Sequence, residues 1–168
     1  RSSGKMGYAI AKVAKDYGAN VDLISGPVSL SAIPQINIIH VETGIDMKNN
    51  IDYLLKNNDY EYIFMVAAVG DYHIDKISNK KIKSSQQKLN LELNKSPDIL
   101  KNISKKSKAK IIGFALETDD GEKEALKKLR TKHLDYIVLN YANEDNAGFE
   151  SNTNHVYLYS KNGNKKEF

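Results

Sequence analysis

"YIFMVAAVGDYH", Tyr62 to His73, decides the fold. Tyr62 to Val69 is a nearly continuous apolar run. That pattern predicts a strand covered on both faces inside a parallel sheet. Small residues and Asp71 then lead away from it. Upstream, "NVDLIS" (20–25) and "INIIHV" (36–41) read as further strands, with the turn Gly26-Pro27 between them. Thr43 precedes a helical stretch carrying Ile45, Met47, Ile51, Leu54 and Leu55. Downstream, "LNLEL" (89–93) alternates like a short strand. "SPDIL" (96–100) starts a helix, with Ser96 as N-cap and Pro97 at the first helical position. "KIIGFAL" (110–116) is another buried strand, and a Lys- and Glu-rich helix spans about 121–133. "DYIVLN" (135–140) is a further strand and "HVYLYS" (155–160) an edge or antiparallel one. Strands alternating with helices make an α/β fold with a mostly parallel sheet. No internal repeat or linker interrupts it.

The N-terminal "RSSGKMG" (1–7) invites comparison with a phosphate-binding P-loop. That loop needs a Ser or Thr hydroxyl after its Lys to bind magnesium, and Met6 stands there. What remains is a helix start. Ser2 or Ser3 can cap it, Met6, Ala9, Ile10, Val13, Ala14 and Tyr17 fall on one face, and Gly18 supplies the stop. A capped start with free N–H groups and a Lys is also an anion site in chemical principle, though an ordinary capped helix is the commoner case.

The length of 168 residues suits one domain with a real core. With 40% apolar and 27% charged residues the chain is globular. It has no cysteine, which excludes a disulfide scaffold and thiol chemistry and fits the cytoplasm. No apolar run approaches the roughly 18 residues of a membrane span, and no signal peptide is visible. A net charge of +4 suits a phosphate-rich substrate or nucleic acid. A chain that starts with Arg1 and enters a helix at once is expected to be a fragment.

Ligands of such sheets sit at the carboxyl ends of the strands. The informative stretches are therefore Ala67 to His73, Gly113 to Thr118, and Asn140 onward. At "AAVGDYH" small residues let a ligand reach the backbone beside Asp71; a tight turn with a solvated Asp explains the same residues. "DKISNKKIKSSQQK" (75–88) has almost no core formers, as lids, binding loops and disordered segments do. Lys80, Lys81, Lys83 and Lys88 make it basic. A basic flap can close over phosphates, but a solvated loop is the commoner use of a charge run. It lacks the interleaved aromatics of single-strand binders. "SPDIL" offers N–H groups at a helix start, yet the helix dipole alone accounts for Asp98, at roughly 0.3–1 kcal/mol. Lys128 and Lys132 share a helix face and repel unless something anionic meets them. Phe114 reads as core. His40, His73, His133 and His155 show no metal spacing, no Ser-His-Asp set is legible, and no G-x-G-x-x-G occurs.

In order along the chain, "SSGKMGYAIAKVAKDYGANVDLISGPVSL", "AAVGDY", "KIKS", "SPDIL", "GFALET", "KLRTKHLDYIVLN" and "GFESNTN" resemble phosphopantothenoylcysteine synthetase. These are the phosphopantothenate–cysteine ligases of coenzyme A biosynthesis, and the CTP-using bacterial branch is the nearer likeness. The resemblance covers essentially the whole chain. It implies a Rossmann-like three-layer sandwich with a mostly parallel sheet, antiparallel edge strands and a mobile flap at about 74–88. It implies one ligase domain over 1–168, incomplete at both ends. The first strand, a Gly-rich turn and an acyl-transfer Asn would precede Arg1, and a helix would follow Phe168. The implied reaction joins cysteine to 4'-phosphopantothenate with CTP, through an acyl-cytidylate, releasing pyrophosphate and CMP. Mg2+ is expected, with no ligands assigned; FMN is expected only if a flavin-dependent decarboxylase domain precedes Arg1. A homodimer, possible fusion to that decarboxylase, a cytoplasmic location, and neither nucleic-acid nor membrane partners are the accompanying expectations.

Carried over position by position, Lys81 becomes the catalytic flap lysine that contacts nucleotide and intermediate. Asp71 recognises the nucleotide, and Ala67 and Ala68 border nucleotide and intermediate. The backbone of Pro97, Asp98, Ile99 and Leu100 holds nucleotide groups, Phe114 contacts the nucleotide, and Lys128 and Lys132 form the paired lysines of the CTP site. Ser2 and Ser3 line the substrate side. Gly70 stands for a common Ala, His73 for a frequent Arg and Ser96 for a common Asn. Two other readings stay open: a Rossmann-like NAD(P)-dependent oxidoreductase, and a non-enzymatic basic module that binds nucleotides or nucleic acid.

Overall fold

The structure, a computed structural model, describes residues 2–75, 78, 80–82, 88–118, 120–141 and 155–168. The elements run α1 (Lys5–Asp16), β1 (Asp22–Ser25), β2 (Asn37–His40), α2 (Gly44–Asn57), β3 (Tyr62–Met65), β4 (Tyr72–His73), β5 (Asn94–Lys95), α3 (Ile99–Lys106), β6 (Lys110–Glu117), α4 (Gly121–Thr131), β7 (Tyr136–Tyr141), β8 (Tyr157–Ser160) and β9 (Lys165–Glu167). The main sheet has the order β3-β6-β7-β8-β9. Its first three strands are parallel, and β8 and β9 close one side in antiparallel fashion. β1 and β2 form a separate parallel pair, and β4 and β5 a short antiparallel ribbon. The expected α/β fold, parallel with antiparallel edge strands, is thus the one found.

One apolar cluster joins the parts. Val41, Met47 and Ile51 around α2 meet Ile99 and Ile103 of α3, Ile111 and Ala115 of β6, Ala125 and Leu129 of α4, and Ile137 and Leu139 of β7. The Tyr60 hydroxyl ties β1 to the approach of β3 by donating to Asp22 Oδ2 at 2.6 Å. Burial, and then the Asp22 carboxylate, push the Tyr60 phenol up to about 12. α2 begins on a capping box: Thr43 Oγ1 accepts from the Asp46 N–H at 3.0 Å and Asp46 accepts from the Thr43 N–H at 3.1 Å.

Several local expectations are corrected. Neither Ser2 nor Ser3 caps α1. Gly4 does so in the left-handed region, φ 76°, without a side-chain cap; Ser3 Oγ only accepts a long 3.4 Å bond from the Lys5 N–H. A Cβ on Gly4 would lie 2.8 Å from Val28 Cγ1, so the loop after β1 packs directly on this turn. The buried side of α1 is carried by Tyr8 and Ala11, while Tyr17 at the end of the expected stripe is 90% exposed. Tyr8 decides that rotation, because its hydroxyl donates to the buried Ser25 Oγ at 3.1 Å. Gly18 does end the helix: its N–H donates to Lys15 O, and that of Ala19 to Ala14 O, a Schellman closure.

Residues 89–93 form no strand; the ribbon uses Asn94 and Lys95 instead. Nor is β3 covered on both faces, since Tyr62 and Phe64 are 51% and 44% exposed. Ser96 does not cap α3. Its N–H donates to Asp71 O at 2.8 Å, which extends the ribbon, and Pro97 favours an extended residue before it. The cap passes to Asp98, which accepts from the Lys101 N–H at 3.0 Å, and the helix opens at Ile99. Among the described residues, no helix is long and apolar enough to cross a membrane.

Candidate functional site

The lysine pair on α4 is the anchor. Lys128 Nζ donates to the Phe114 carbonyl of β6 at 2.7 Å. Burial lowers the Lys128 pKa first of all; Glu117, Asp71 and Asp98 counteract this and Lys132 reinforces it, leaving the ammonium below its ordinary range. An ammonium carries three N–H donors, and among the described residues one of those of Lys128 is hydrogen-bonded, to a carbonyl; such a half-buried charge gains from an anion. Lys132 caps the C-terminal end of α4 and pairs with Asp98, the N-cap of α3. Burial pushes the Asp98 carboxyl up, but Lys132 and the Lys101 N–H outweigh it and hold it below the usual carboxylate range. The two like-charged lysines are therefore met by a carbonyl and a carboxylate.

Asp71 is exposed at the start of the ribbon, and its backbone carbonyl holds Ser96. The structure thus brings Asp71, Asp98, Phe114, Lys128 and Lys132 to one place. Pro97 lies between the ribbon and α3. The side chain of Ile99 is core, 5% exposed, so Ile99 can offer only backbone to a ligand; Leu100 is half-buried and packs on that core. Phe114 is half-buried rather than full core.

A second group forms where α1 starts. Gly7 faces Val66, whose Cβ would lie 3.8 Å from a Cβ placed on Gly7. The first turn of α1, with exposed Ser2 and half-buried Ser3, therefore adjoins the stretch leading to exposed Ala67 and Ala68. Lys81 is exposed. Among the described residues no hydrogen bond or ion pair joins it to Asp71, Asp98, Lys128 or Lys132. Much of the expected flap, including Lys83, and all of "NEDNAGFESNTN" after Ala142 lie outside the described residues. Among the described residues no three metal-ligating side chains cluster.

Sequence reasoning missed two features. Glu117 ends β6 and acts on the charge of Lys128; its place in the stretch Gly113 to Thr118 was the available signal. The other is a polar network, His73 with Asp75, Asn94 and Ser96. Its two halves, His73 with Asp75 and Asn94 with Ser96, are far apart in sequence, and only the register of β4 on β5 aligns them.

Comparison with known proteins bears on this arrangement. The family model described as the DNA/pantothenate metabolism flavoprotein C-terminal domain matches residues 1–168. The coenzyme A biosynthesis bifunctional protein CoaBC of Bacillus subtilis is 40% identical over 169 residues, covering 99% of this chain. The chain spans 41% of the length of that relative. A crystal structure of the C-terminal domain of a CoaBC protein superposes with TM-score 0.80 at 37% identity, over 99% of this chain and 74% of the other. A Cab2 H337A mutant in complex with phosphopantothenate-cysteine shares the fold at TM-score 0.60 and 16% identity, over 80% of this chain and 47% of the other. With a family model matched from end to end, the chain belongs to the DNA/pantothenate metabolism flavoprotein C-terminal domain family.

Proposed function

We propose that this domain ligates cysteine to 4'-phosphopantothenate at the expense of CTP, a step of coenzyme A biosynthesis. The observation that carries the reading is the convergence of Lys128, Lys132, Asp98 and the Phe114 carbonyl beside the start of α3. Membership of the family and the CoaBC relatives support it.

The chemistry follows from what a carboxylate lacks. Its oxygen is a poor leaving group, so the substrate carboxylate first attacks the α-phosphorus of CTP and pyrophosphate departs. The cysteine amine then attacks the acyl carbon, an amide forms and CMP leaves. Phosphoryl transfer of this kind needs charge neutralisation and alignment more than a covalent nucleophile. Lys128, short of water, supplies the first; Lys132 joins it once the nucleotide shares or displaces Asp98. The backbone from Pro97 to Leu100 and the carboxylate of Asp71 orient the nucleotide, and Lys81 meets the reacting phosphate. Ser2, Ser3, Ala67 and Ala68 border the substrate.

Magnesium in this reading arrives on the CTP phosphates, since such ions bind through substrate phosphates and few carboxylates. FMN belongs to a fused decarboxylase part, for which the bifunctional relatives speak. The reading also gives the acyl-transfer Asn a place. β1 and β3 each have one side without a ladder partner among the described residues, which leaves sheet edges for the strand that the proposal expects before Arg1. A homodimer completes the proposal.

Pyrophosphate release by the full-length protein tests it. Release is expected only with CTP and phosphopantothenate together, and amide product only when cysteine is added. Release with ATP and not CTP overturns the nucleotide assignment. Stabilisation against heat by NADPH or RNA, with none by CTP, overturns the ligase reading.

A further inference from the structure

We propose that His73 is a positioning residue for the nucleotide half of the site, locking Asp71 and the Ser96–Asp98 segment into one register. The inference rests on the nucleotide-site reading above and adds to it a residue group that the reading does not use.

The ribbon needs such a lock. β4 and β5 pair only Tyr72 with Lys95 and His73 with Asn94, and a two-stranded ribbon of this length is marginal in water on its own. Residues two apart on a strand share a face. Asp71, His73 and Asp75 therefore line one face with Asn94 and Ser96 opposite them. On that face His73 Nδ1 lies 3.3 Å from Ser96 Oγ, and its Nε2 lies 2.8 Å from Asp75 Oδ1. Asn94 Nδ2 donates to the other Asp75 oxygen at 2.7 Å, and the Ser96 N–H donates to Asp71 O at 2.8 Å. The bonds run as one continuous chain across the ribbon, from Asn94 through Asp75 and His73 to Ser96 and Asp71.

Imidazole suits the centre because its two nitrogens point apart. A neutral ring that donates from Nε2 to Asp75 can accept the Ser96 hydroxyl at Nδ1, and a charged ring can donate to both. Two residues beyond Ser96 stands Asp98, cap of α3 and partner of Lys132. Asp71 and Asp98 both act on the charge of Lys128. The separation of these two carboxylates, and so the field around the lysine pair, depends on the register that His73 holds.

The test compares His73→Ala, Ser96→Ala, the double variant and His73→Asn in the full-length protein. Backbone amide exchange over residues 94–98, measured without nucleotide, is expected to quicken about tenfold in His73→Ala. KM for CTP is expected to rise about 3–10-fold, with kcat and KM for cysteine unchanged, as for loss of uniform binding. The double variant is expected to match His73→Ala, because partners in one network are not additive. His73→Asn places an amide where Nδ1 was and is expected to recover part of the loss. Unchanged exchange in His73→Ala overturns the proposal, as does quicker exchange with an unchanged KM for CTP, or single effects that add in full. If the parent protein releases no CTP-dependent pyrophosphate, the ligase reading fails, and the exchange measurement still decides the lock.

Discussion

The β6–α4–β7 unit and the β4–β5 ribbon are built by opposite means. In the first, Ala125, Ile137 and Leu139 are fully buried, and Leu129 and Leu134 nearly so. Its stability comes from apolar area removed from water, at roughly 25 cal/mol per Å2. In the second, Asp71, Tyr72, Asn94 and Lys95 are exposed, and polar bonds within reach of solvent hold the shape. Such bonds add little net stability, about 0.5–1.5 kcal/mol each. The difference matters for the residues proposed to meet the nucleotide: Lys128 and Phe114 stand on the rigid unit, Asp71 and Asp98 on or beside the ribbon. Fold stability and ligand geometry should therefore respond to different substitutions.

Leu139→Ala should break the rigid side hardest. Its side chain is fully buried, and removing it should cost about 2–5 kcal/mol, read as a lower urea midpoint at unchanged slope. A loss below about 1 kcal/mol would erase the contrast between the two regions.

Lys81→Gln should do the reverse. Turnover in pyrophosphate release should fall about a hundredfold, which corresponds to roughly 2.7 kcal/mol, with the melting temperature unmoved because Lys81 is exposed. A clear drop in melting temperature at normal activity would remove it from the catalytic set.

Gly113→Ala probes the rigid unit from the opposite direction to Leu139→Ala. A Cβ there would lie 2.5 Å from Leu134 Cδ1, and Leu134 is itself buried. Overpacking of this kind should cost about 1–3 kcal/mol; a neutral urea midpoint would mean that the unit has slack.

The smallest effect belongs to Asp135, where a polar bond braces the rigid unit. Its carboxylate accepts from the Ile111 N–H at 2.9 Å and from Lys161 at 2.5 Å. Burial pushes the Asp135 carboxyl up, yet Lys161 and the Ile111 N–H pull it further down, to below its ordinary range. The folded chain then holds this proton less tightly than the unfolded one. The stability it contributes is complete above about pH 4 and fades as pH falls through the lower folded value. Asp135→Asn should cost roughly 0.5–1.5 kcal/mol at neutral pH and flatten the acid limb of a urea-midpoint series. An acid limb as steep as the parent's would assign that loss to other carboxylates.

The elements that were legible in the sequence are those whose partners lie in their own periodicity. "KIIGFAL" and "DYIVLN" became β6 and β7, and the Thr43 start and Gly18 stop were readable because caps act within four residues. The misreadings share one cause. Ser96 looks like a cap until Asp71, 25 residues earlier, takes its N–H; the stripe on α1 looks decisive until Tyr8 finds Ser25. "LNLEL" alternates well, but no described strand pairs with it.

By itself, the sequence determined the α/β class, the strands β3, β6, β7 and β8 of the main sheet and, through its ordered motifs, the family; β9 carried no such pattern. Those follow from hydrophobic period and local turn chemistry, which act over a few residues. Only the tertiary structure decided that Lys128 meets the Phe114 carbonyl, that Lys132 meets Asp98 across 34 residues, and that His73 stands between Asp75 and Ser96. Charge and hydrogen-bond partners act through space within a few ångströms, and chain separation says nothing about that distance until the strands are in register.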